Sequence, residues 1–304
     1  MRLLQIKLRG LGNLPVTSWV TLSKTLTLLR FSDSHIGRQV LKAVQSLNPP
    51  YDCFSEQPFG DLPMEEVLAN GYRRSVSPEK RTIVIGIFDT PSALVKDLGA
   101  LTPSLYETDR VEIGRRLNYS RWINFVEIAS SSRWSEVSED IGRLLHEYPD
   151  GAEAQAIHRL MTEAVPADRI KGSMAEELAA WLTTLEPRKS EISHYPEILE
   201  KVRRARKFSE ARELLARRLP QFLAVNGDDL PPVSELVTVN SDPQITPVLL
   251  IDCFESTHPI QTKAAVPEKI SSLAKRCQCL CFVDGLHAGW NLPDAQVVEV
   301  NALN

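Results

Sequence analysis

The sequence has no long apolar run and few cysteines for its length. No segment stays apolar over the roughly 20 residues that a membrane-spanning helix needs, and only five of the 304 residues are cysteine. The chain opens with strand-like alternation rather than a leader pattern, so we expect a cytoplasmic protein with reduced thiols and no membrane partner. A net charge of −4 argues against wholesale nonspecific binding to nucleic acid, although it leaves room for a local basic face.

Residues 30–41 occupy the position of a phosphate-binding loop but lack most of its residues. They follow a strand-like segment and precede a helix-like one. A loop of the form G-x-x-x-x-G-K-[ST] uses glycines to wrap phosphate with backbone N–H groups, a lysine for the phosphates and a hydroxyl for Mg²⁺. Here Ser32 replaces the first glycine, Gly37 keeps the second, Arg38 replaces the lysine and Gln39 replaces the hydroxyl residue.

These replacements change what the loop can bind. Arg38 can hold an anion with its planar fork, but a guanidinium is not interchangeable with a compact ammonium. Gln39 is a poorer magnesium ligand than a serine or threonine hydroxyl. An ordinary strand-to-helix connection, which is common in α/β proteins, remains the alternative interpretation.

A second informative stretch lies near the other end of the sequence. Residues 247–252 form a short apolar run that ends in Asp252, which is typical of a buried parallel strand with a carboxylate at its C-terminal end. A helical pattern and another apolar strand, residues 277–283, follow it. This order predicts a parallel strand–helix–strand crossover.

In this order of segments the chain resembles the ATPase heads of the ABC class found in SMC and RecF-type DNA-maintenance proteins. Such heads open with two strands, the phosphate-binding loop and its helix. They close with an apolar strand ending in acids, a helix, and a strand that leads to a switch histidine. The resemblance implies an α/β fold of the P-loop NTPase type, with a mixed sheet and an inserted α-helical bundle.

The resemblance also assigns roles to individual residues. Asp252 matches the aspartate that holds Mg²⁺ through water, and Glu255 keeps part of the acidic segment after it. Cys253 stands where the catalytic glutamate belongs, and a thiol cannot orient and deprotonate the attacking water as a carboxylate does. Asp284 occupies the place of the switch histidine, and residues 225–229 are a weak, acidic candidate for the signature sequence.

Together these losses imply a pseudo-ATPase with no expected cofactor. The first hypothesis is a noncatalytic subunit that pairs with an active ATPase, a nuclease or a second copy of itself, in DNA maintenance or defence against foreign DNA. The alternative is a weak nucleotide-binding switch or residual ATPase that uses Arg38 and Asp252. In that case ATP and Mg²⁺ would bind weakly, through these groups: Ser32, Gly37, Arg38 and Gln39 for the nucleotide, and Asp252 and Glu255 for the metal.

The middle of the chain differs from its two ends. We expect residues 1–130 and 226–304 to form the two parts of the head, and residues 131–225 to form the inserted bundle. Apolar residues recur at helical spacing from Trp134 onward, and prolines at 149, 166, 187 and 196 divide the stretch into four helices.

Two side-chain clusters have competing interpretations. The fourth helix of the bundle carries Arg203, Arg204, Arg206 and Lys207, which could bind DNA phosphates or an acidic partner, or could simply form a solvated face. Cysteines 277, 279 and 281 alternate along a predicted strand and therefore share one face. Their spacing is a poor match to zinc sites, so we interpret them as buried apolar residues.

Overall fold

The structure is a computed structural model that describes two compact units. The described residues are 1–11, 14–50, 81–101, 106, 108–118, 120–126, 132–185, 194–232, 245–254, 265–284, 292 and 294–300. The first unit comprises Met1–Pro91, Asp109–Val126 and Arg218–Asn304, and the second comprises Ser92–Thr108 and Glu127–Arg217. The domain limits expected at residues 130 and 225 stay a prediction. A short helix expected around Met64 lies outside the described residues.

The elements follow one another along the chain with strands at both ends and helices in the middle. In chain order they are β1 (Leu3–Leu11), β2 (Leu14–Val16), β3 (Val20–Thr21), β4 (Leu26–Arg30), α1 (Ser34–Gln45), β5 (Thr82–Asp89), α2 (Ser92–Leu101), β6 (Arg110–Arg116), β7 (Arg121–Phe125), a short 3-10 helix (Trp134–Glu136), α3 (Ser138–Glu147), α4 (Ala152–Glu163), α5 (Gly172–Thr184), α6 (Tyr195–Arg217), β8 (Phe222–Asn226), β9 (Val248–Asp252), α7 (Ala265–Ala274), β10 (Gln278–Val283) and β11 (Gln296–Glu299).

The first unit contains two sheets. One has the order β2-β1-β5-β6-β7, with β3 also paired to β1, and its neighbouring strands are antiparallel. The other has the order β11-β4-β10-β9-β8, and all of its pairs are parallel. The predicted mixed α/β class is confirmed, and the parallel and antiparallel pairings are separated into two sheets.

The centre of the parallel sheet is buried on both faces. All six residues of β10 are buried, as are the first four of β9, which explains why both segments are continuous apolar runs. Helix α1 packs against β8, β9 and β10, and the apolar side of α7 joins strand residues of the sheet in one core cluster. The predicted crossover is confirmed, because β9, α7 and β10 follow one another and the two strands pair in parallel.

Two cysteines of β10 and the cysteine just before it lie in that core. Cys277, Cys279 and Cys281 all belong to the cluster that α7 covers, together with Ile270 and Leu249. The Sγ atoms of Cys277 and Cys279 are 3.9 Å apart. The predicted shared face is therefore confirmed, and the three thiols contribute apolar packing.

The second unit is helical. Its core is formed by side chains from the 3-10 helix and from α3 to α6, including Trp134, Ile141, Leu178 and Trp181. The helical pattern that we expected to continue to Val225 ends earlier, because α6 ends at Arg217 and residues 222–226 form β8. In the described part of the chain, none of the helices combines the length and the apolar character needed to span a bilayer.

Candidate functional site

The predicted nucleotide-binding residues and Asp252 meet at one edge of the parallel sheet, where β4, β8, β9 and β10 all end. We call this the C-terminal edge, and it comprises residues 31–39, 226–229, 252–254 and 284. Asp252 lies opposite Asn226 on one neighbouring strand and Phe282 on the other. Ligands of open α/β sheets bind outside the carboxyl ends of the strands, so this is where a nucleotide would be sought. Glu255 lies outside the described residues.

The N-terminus of α1 is capped by a carboxylate of the chain itself. Asp33 occupies the N-cap position, and its Oδ1 accepts hydrogen bonds from the backbone N–H groups of His35 at 2.7 Å and Ile36 at 3.4 Å. The carbonyl of Asp33 accepts the first regular bond of the helix, from the N–H of Gly37 at 3.0 Å. Free N–H groups at a helix N-terminus are what hold phosphate in a phosphate-binding loop. Here their partner is Asp33.

Arg38 is paired with Asp252. Its Nε donates to Asp252 Oδ2 at 3.2 Å, and its guanidinium carbon lies 5.9 Å from the centre of the Phe254 ring. The other carboxylate oxygen, Oδ1, accepts a hydrogen bond from the backbone N–H of Phe254 at 3.0 Å. The residue that would contact phosphate and the residue that would support magnesium therefore neutralise each other.

Gly37 is needed to make room for an aromatic ring. A Cβ atom added at this position would lie 2.0 Å from Cζ of Phe254. The Phe254 ring meets Phe31 edge-on, with ring centres 6.0 Å apart, and Phe31 stacks on Phe282 at 5.9 Å. The glycine that the sequence offered as a remnant of phosphate binding thus permits the close approach of Phe254 to α1.

Cys253 is buried in acidic surroundings. It is 1% exposed, and a Cβ added at Gly227 would lie 2.9 Å from its Sγ. The pKa of the Cys253 thiol is raised to about 12, mainly by burial and to a lesser extent by the negative charges of Asp252, Asp228 and Asp284. The thiol is therefore neutral near pH 7 and is not a general base.

The candidate signature segment is a turn bound to the chain's own strand. The N–H of Gly227 donates to the carbonyl of Asp252 at 2.7 Å, and Asn226 Oδ1 accepts from the N–H of Asp228 at 2.9 Å. This turn brings Asp228 to the C-terminal edge. It adds negative charge there, close to Cys253.

The two remaining predicted loop residues have local roles. Ser32 is exposed. The side-chain nitrogens Gln39 Nε2 and His35 Nε2 are 3.0 Å apart, within hydrogen-bond distance across one turn of α1. Nucleotide binding by Ser32 and Gln39 stays a prediction.

Taken together, the described groups at the C-terminal edge are arranged unfavourably for a magnesium nucleotide. A phosphate at the start of α1 would meet the carboxylate of Asp33, and the arginine that would neutralise it is held by Asp252. Within the described ranges, no three histidine, cysteine, aspartate or glutamate side chains are grouped so as to hold a metal ion.

The predicted basic helix is partly paired within itself, because two glutamates serve three of its cations. Three of the four basic residues proposed for DNA or partner binding contact glutamates one turn away, and only Arg203 is not in these pairs. The ion pairs are Arg204–Glu200 at 2.9 Å, Arg206–Glu210 at 3.8 Å and Lys207–Glu210 at 2.8 Å. DNA binding by α6 stays a prediction, with less uncompensated charge than the sequence suggested.

Two residues at the C-terminal edge were missed in the sequence. Asp33 directly precedes α1, and an aspartate before a helix is a recognised N-cap signal. That signal could have identified it. Nothing in the local sequence indicates that Phe254 covers Gly37, because the contact joins residues 217 positions apart.

No family model matches this sequence, and a search of curated proteins finds no match. Among solved structures, the chain is similar to the SMC head domain from Thermotoga maritima, with 10% identity, a TM-score of 0.38, and coverage of 99% of this chain and 96% of that one. It is also similar to an Smc head from Pyrococcus furiosus bound to the C-terminal domain of ScpA (11% identity, TM-score 0.38, 93% and 89% coverage). A third is an SmcHead bound to the C-winged helix domain of ScpA (12% identity, TM-score 0.42, 99% and 95% coverage).

Proposed function

We propose that this chain is a noncatalytic, SMC/RecF-like pseudo-ATPase subunit. The observation that carries the proposal is the carboxylate of Asp33, which accepts hydrogen bonds from the N–H groups at the start of α1. A helix N-terminus attracts anions because its N–H groups and dipole are positive. An aspartate already placed there removes that attraction and repels phosphate.

The remaining groups support the same proposal. Catalysis of phosphoryl transfer needs a metal, a positioned water and charge to stabilise the transferred group. Arg38 and Asp252 form an ion pair, and Cys253 offers a buried, neutral thiol where the water-activating carboxylate belongs. The weak nucleotide switch is the less favoured candidate, because a nucleotide would have to separate Arg38 from Asp252 and would meet the carboxylate of Asp33 at the start of α1.

In this role the protein acts through its surfaces. Heads of the resembled class work in pairs, so we propose a partner protein: an active ATPase, a nuclease subunit or a second copy of this chain. The setting that we propose is a complex for DNA maintenance or for defence against foreign DNA. Contacts with DNA through the exposed side of α6 would be an additional function of such a subunit.

The first test is a phosphate-release assay with ATP and Mg²⁺. We expect wild-type protein to release no more phosphate than a buffer control, and the Asp252→Asn variant to behave identically. Asp284→Asn is the matched control, because it removes one negative charge from the same edge without touching the ion pair. Magnesium-dependent release that is lost in Asp252→Asn and kept in Asp284→Asn would contradict the proposal.

A second test addresses the partner. The mass of the protein in solution, alone and with a candidate partner, can be measured by light scattering with and without Mg·ATP. A scaffolding role predicts the same association state in both conditions. Association that occurs only with nucleotide would instead favour the switch.

A further inference from the structure

The opposite edge of the parallel sheet carries a basic cleft. A cavity of about 150 Å³ opens where β4, β9 and β10 begin. Its lining includes four cationic side chains, Arg2, Lys24, Lys275 and Arg276, together with Thr25 and Gln278. None of the described residues that line it is acidic. We call this set the basic cleft.

The four cations are exposed and not committed to acids. All four side chains belong to exposed residues. Within the described part of the chain, none of them takes part in a salt bridge. One carboxylate lies nearby, because the backbone N–H of Arg2 donates to Asp89 Oδ1. In a chain whose formal net charge is −4, four cationic side chains around one cavity still exceed this single acid and create a local potential that attracts anions.

A buried glutamine, Gln278, joins two of the chain segments that line the cleft. The side chain of Gln278 is 5% exposed. Its Nε2 donates to the carbonyls of Leu3 at 2.7 Å and Ser23 at 2.8 Å, and its Oε1 accepts from the N–H of Leu3 at 2.9 Å. Because Leu3 adjoins Arg2 and Ser23 adjoins Lys24, these bonds fix two cation-bearing segments beside the start of β10.

The other two cations are placed by the end of α7. The N–H groups of Arg276 and Cys277 both donate to the carbonyl of Leu273, at 2.8 and 3.0 Å. This closes the last turn of the helix immediately before β10 and projects Lys275 and Arg276 at the mouth of the cavity. Three separate segments of the chain therefore supply positive charge to one small space.

We propose that the basic cleft binds a phosphate group of a polyanionic ligand. A cavity of about 150 Å³ is smaller than the roughly 300–1,000 Å³ of pockets that enclose whole small molecules, so only the anionic group enters it. Phosphate is the anion best matched to several converging cations, since it offers three or more acceptor oxygens and Arg binds it with two parallel bonds. The remainder of the ligand lies outside, along the exposed cations.

The test is a calorimetric titration with inorganic tripolyphosphate at low salt. We expect wild-type protein to bind it, and the double variant Lys275→Glu/Arg276→Glu to bind at least about tenfold more weakly, because charge reversal replaces attraction by repulsion. The matched control is Lys269→Glu/Lys96→Glu, which makes the same change in net charge at exposed positions outside the cleft. The control should bind like wild type.

A second variant guards against a folding artefact. Lys24→Glu acts from a different segment and should also weaken binding, while the melting temperature of each variant reports whether the fold is intact. No binding by wild type at low salt would overturn the proposal. Equal weakening by the cleft variants and the control would also overturn it, because binding would then follow net charge alone.

The source of the phosphate is identified by competition. If a single-stranded oligonucleotide displaces tripolyphosphate from wild type and binds the cleft variants more weakly, the ligand is a nucleic-acid backbone. If tripolyphosphate binds and the oligonucleotide does not displace it, the ligand is a small phosphorylated compound. Either result keeps the cleft as a phosphate site.

Discussion

The two edges of the parallel sheet differ in the sign of their charged groups and in whether those groups are paired. At the C-terminal edge, aspartates predominate and the main groups contact one another: Asp33 caps α1, and Arg38 pairs with Asp252. At the edge where the strands begin, the charges of the basic cleft are all positive and make no salt bridge among the described residues. At the edge that resembles a binding motif in the sequence, the main polar groups thus bond to one another rather than to a ligand. The edge without a motif has charges that remain available to a ligand.

Among substitutions at the C-terminal edge, we expect the largest change in stability at Gly37. Replacing it with alanine should lower the free energy of unfolding by about 1–3 kcal/mol, because the added methyl overlaps Phe254 and overpacking costs that much. In an unstrained helix the same change would stabilise by roughly 0.5–1 kcal/mol, since alanine is the better helix former. Chemical denaturation measures the sign.

Gly142 in α3 provides the matched control for that substitution. A Cβ there would lie 3.4 Å from Met161 Cε, at ordinary contact distance, so Gly142→Ala should be neutral or stabilising. In a Phe254→Leu background, Gly37→Ala should cost much less than in wild type. Stabilisation by Gly37→Ala in the wild-type background would show that the ring does not constrain the helix.

The next largest effect is the contribution of Cys253 to the free energy of unfolding, which depends on pH. The pKa of Cys253 is raised to about 12 in the folded protein, mainly by burial, from an ordinary value of 9.0. Because the folded-state value is the higher one, the contribution to stability is fully present below pH 9 and is lost as pH rises toward 12. Relative to Cys253→Ala, wild type should lose roughly 1.4 kcal/mol of unfolding free energy per pH unit in that window.

Denaturation of both proteins at pH 8 and pH 10 measures this difference directly. Working with the difference removes the contribution of other groups that titrate in the same range. A constant gap between wild type and Cys253→Ala would mean that the thiol ionises equally in the folded and unfolded states, which its burial does not allow.

The cap of α1 should contribute a smaller amount. Asp33→Ala removes the acceptor for two N–H groups and should cost about 0.5–2 kcal/mol, the usual range for an N-cap. Asp33→Asn keeps an acceptor oxygen and removes the charge, so it should retain most of the stability. Equal stability of Asp33→Ala and wild type in a thermal melt would exclude the capping role.

The smallest effect is expected for the ion pair. The side chains of Arg38 and Asp252 are 36% and 29% exposed, so solvent screens them and their coupling should be about 0.2–1 kcal/mol. A double-mutant cycle with Arg38→Ala and Asp252→Ala measures the coupling, which should decrease at high salt. A coupling near zero at low salt would mean that Arg38 is available to an external anion.

Local patterns explain how much of this fold could be predicted. The apolar runs at residues 247–252 and 277–283 identified β9 and β10, because strands buried on both faces need continuous apolar sequence. Prolines marked helices α3 to α6 of the second unit. The end of the helical region was misplaced, since the helical spacing gave no sign that residues 222–226 would join the parallel sheet as β8.

The chemistry of the two edges was less accessible from the sequence. Asp33 lay within a segment compared only with a phosphate-binding loop, although it also carries the ordinary N-cap signal. The cations of the basic cleft are dispersed over residues 2–276 and form no run, so only the fold brings them together. By contrast, two glutamates at helical spacing offset about half of the charge in the conspicuous basic run of α6, because Arg206 and Lys207 share Glu210.

Because the charged groups of the C-terminal edge are paired with the chain's own side chains and N–H groups, Mg·ATP should not bind there. Calorimetric titration of Mg·ATP into wild-type protein tests this most directly. Asp33→Asn, Arg38→Ala and the cleft variant Lys275→Glu/Arg276→Glu provide the comparisons. We predict no binding at the C-terminal edge: any heat from wild type should be unchanged in Arg38→Ala and abolished in the cleft variant. Micromolar binding that is lost in Arg38→Ala and retained in the cleft variant would contradict the account.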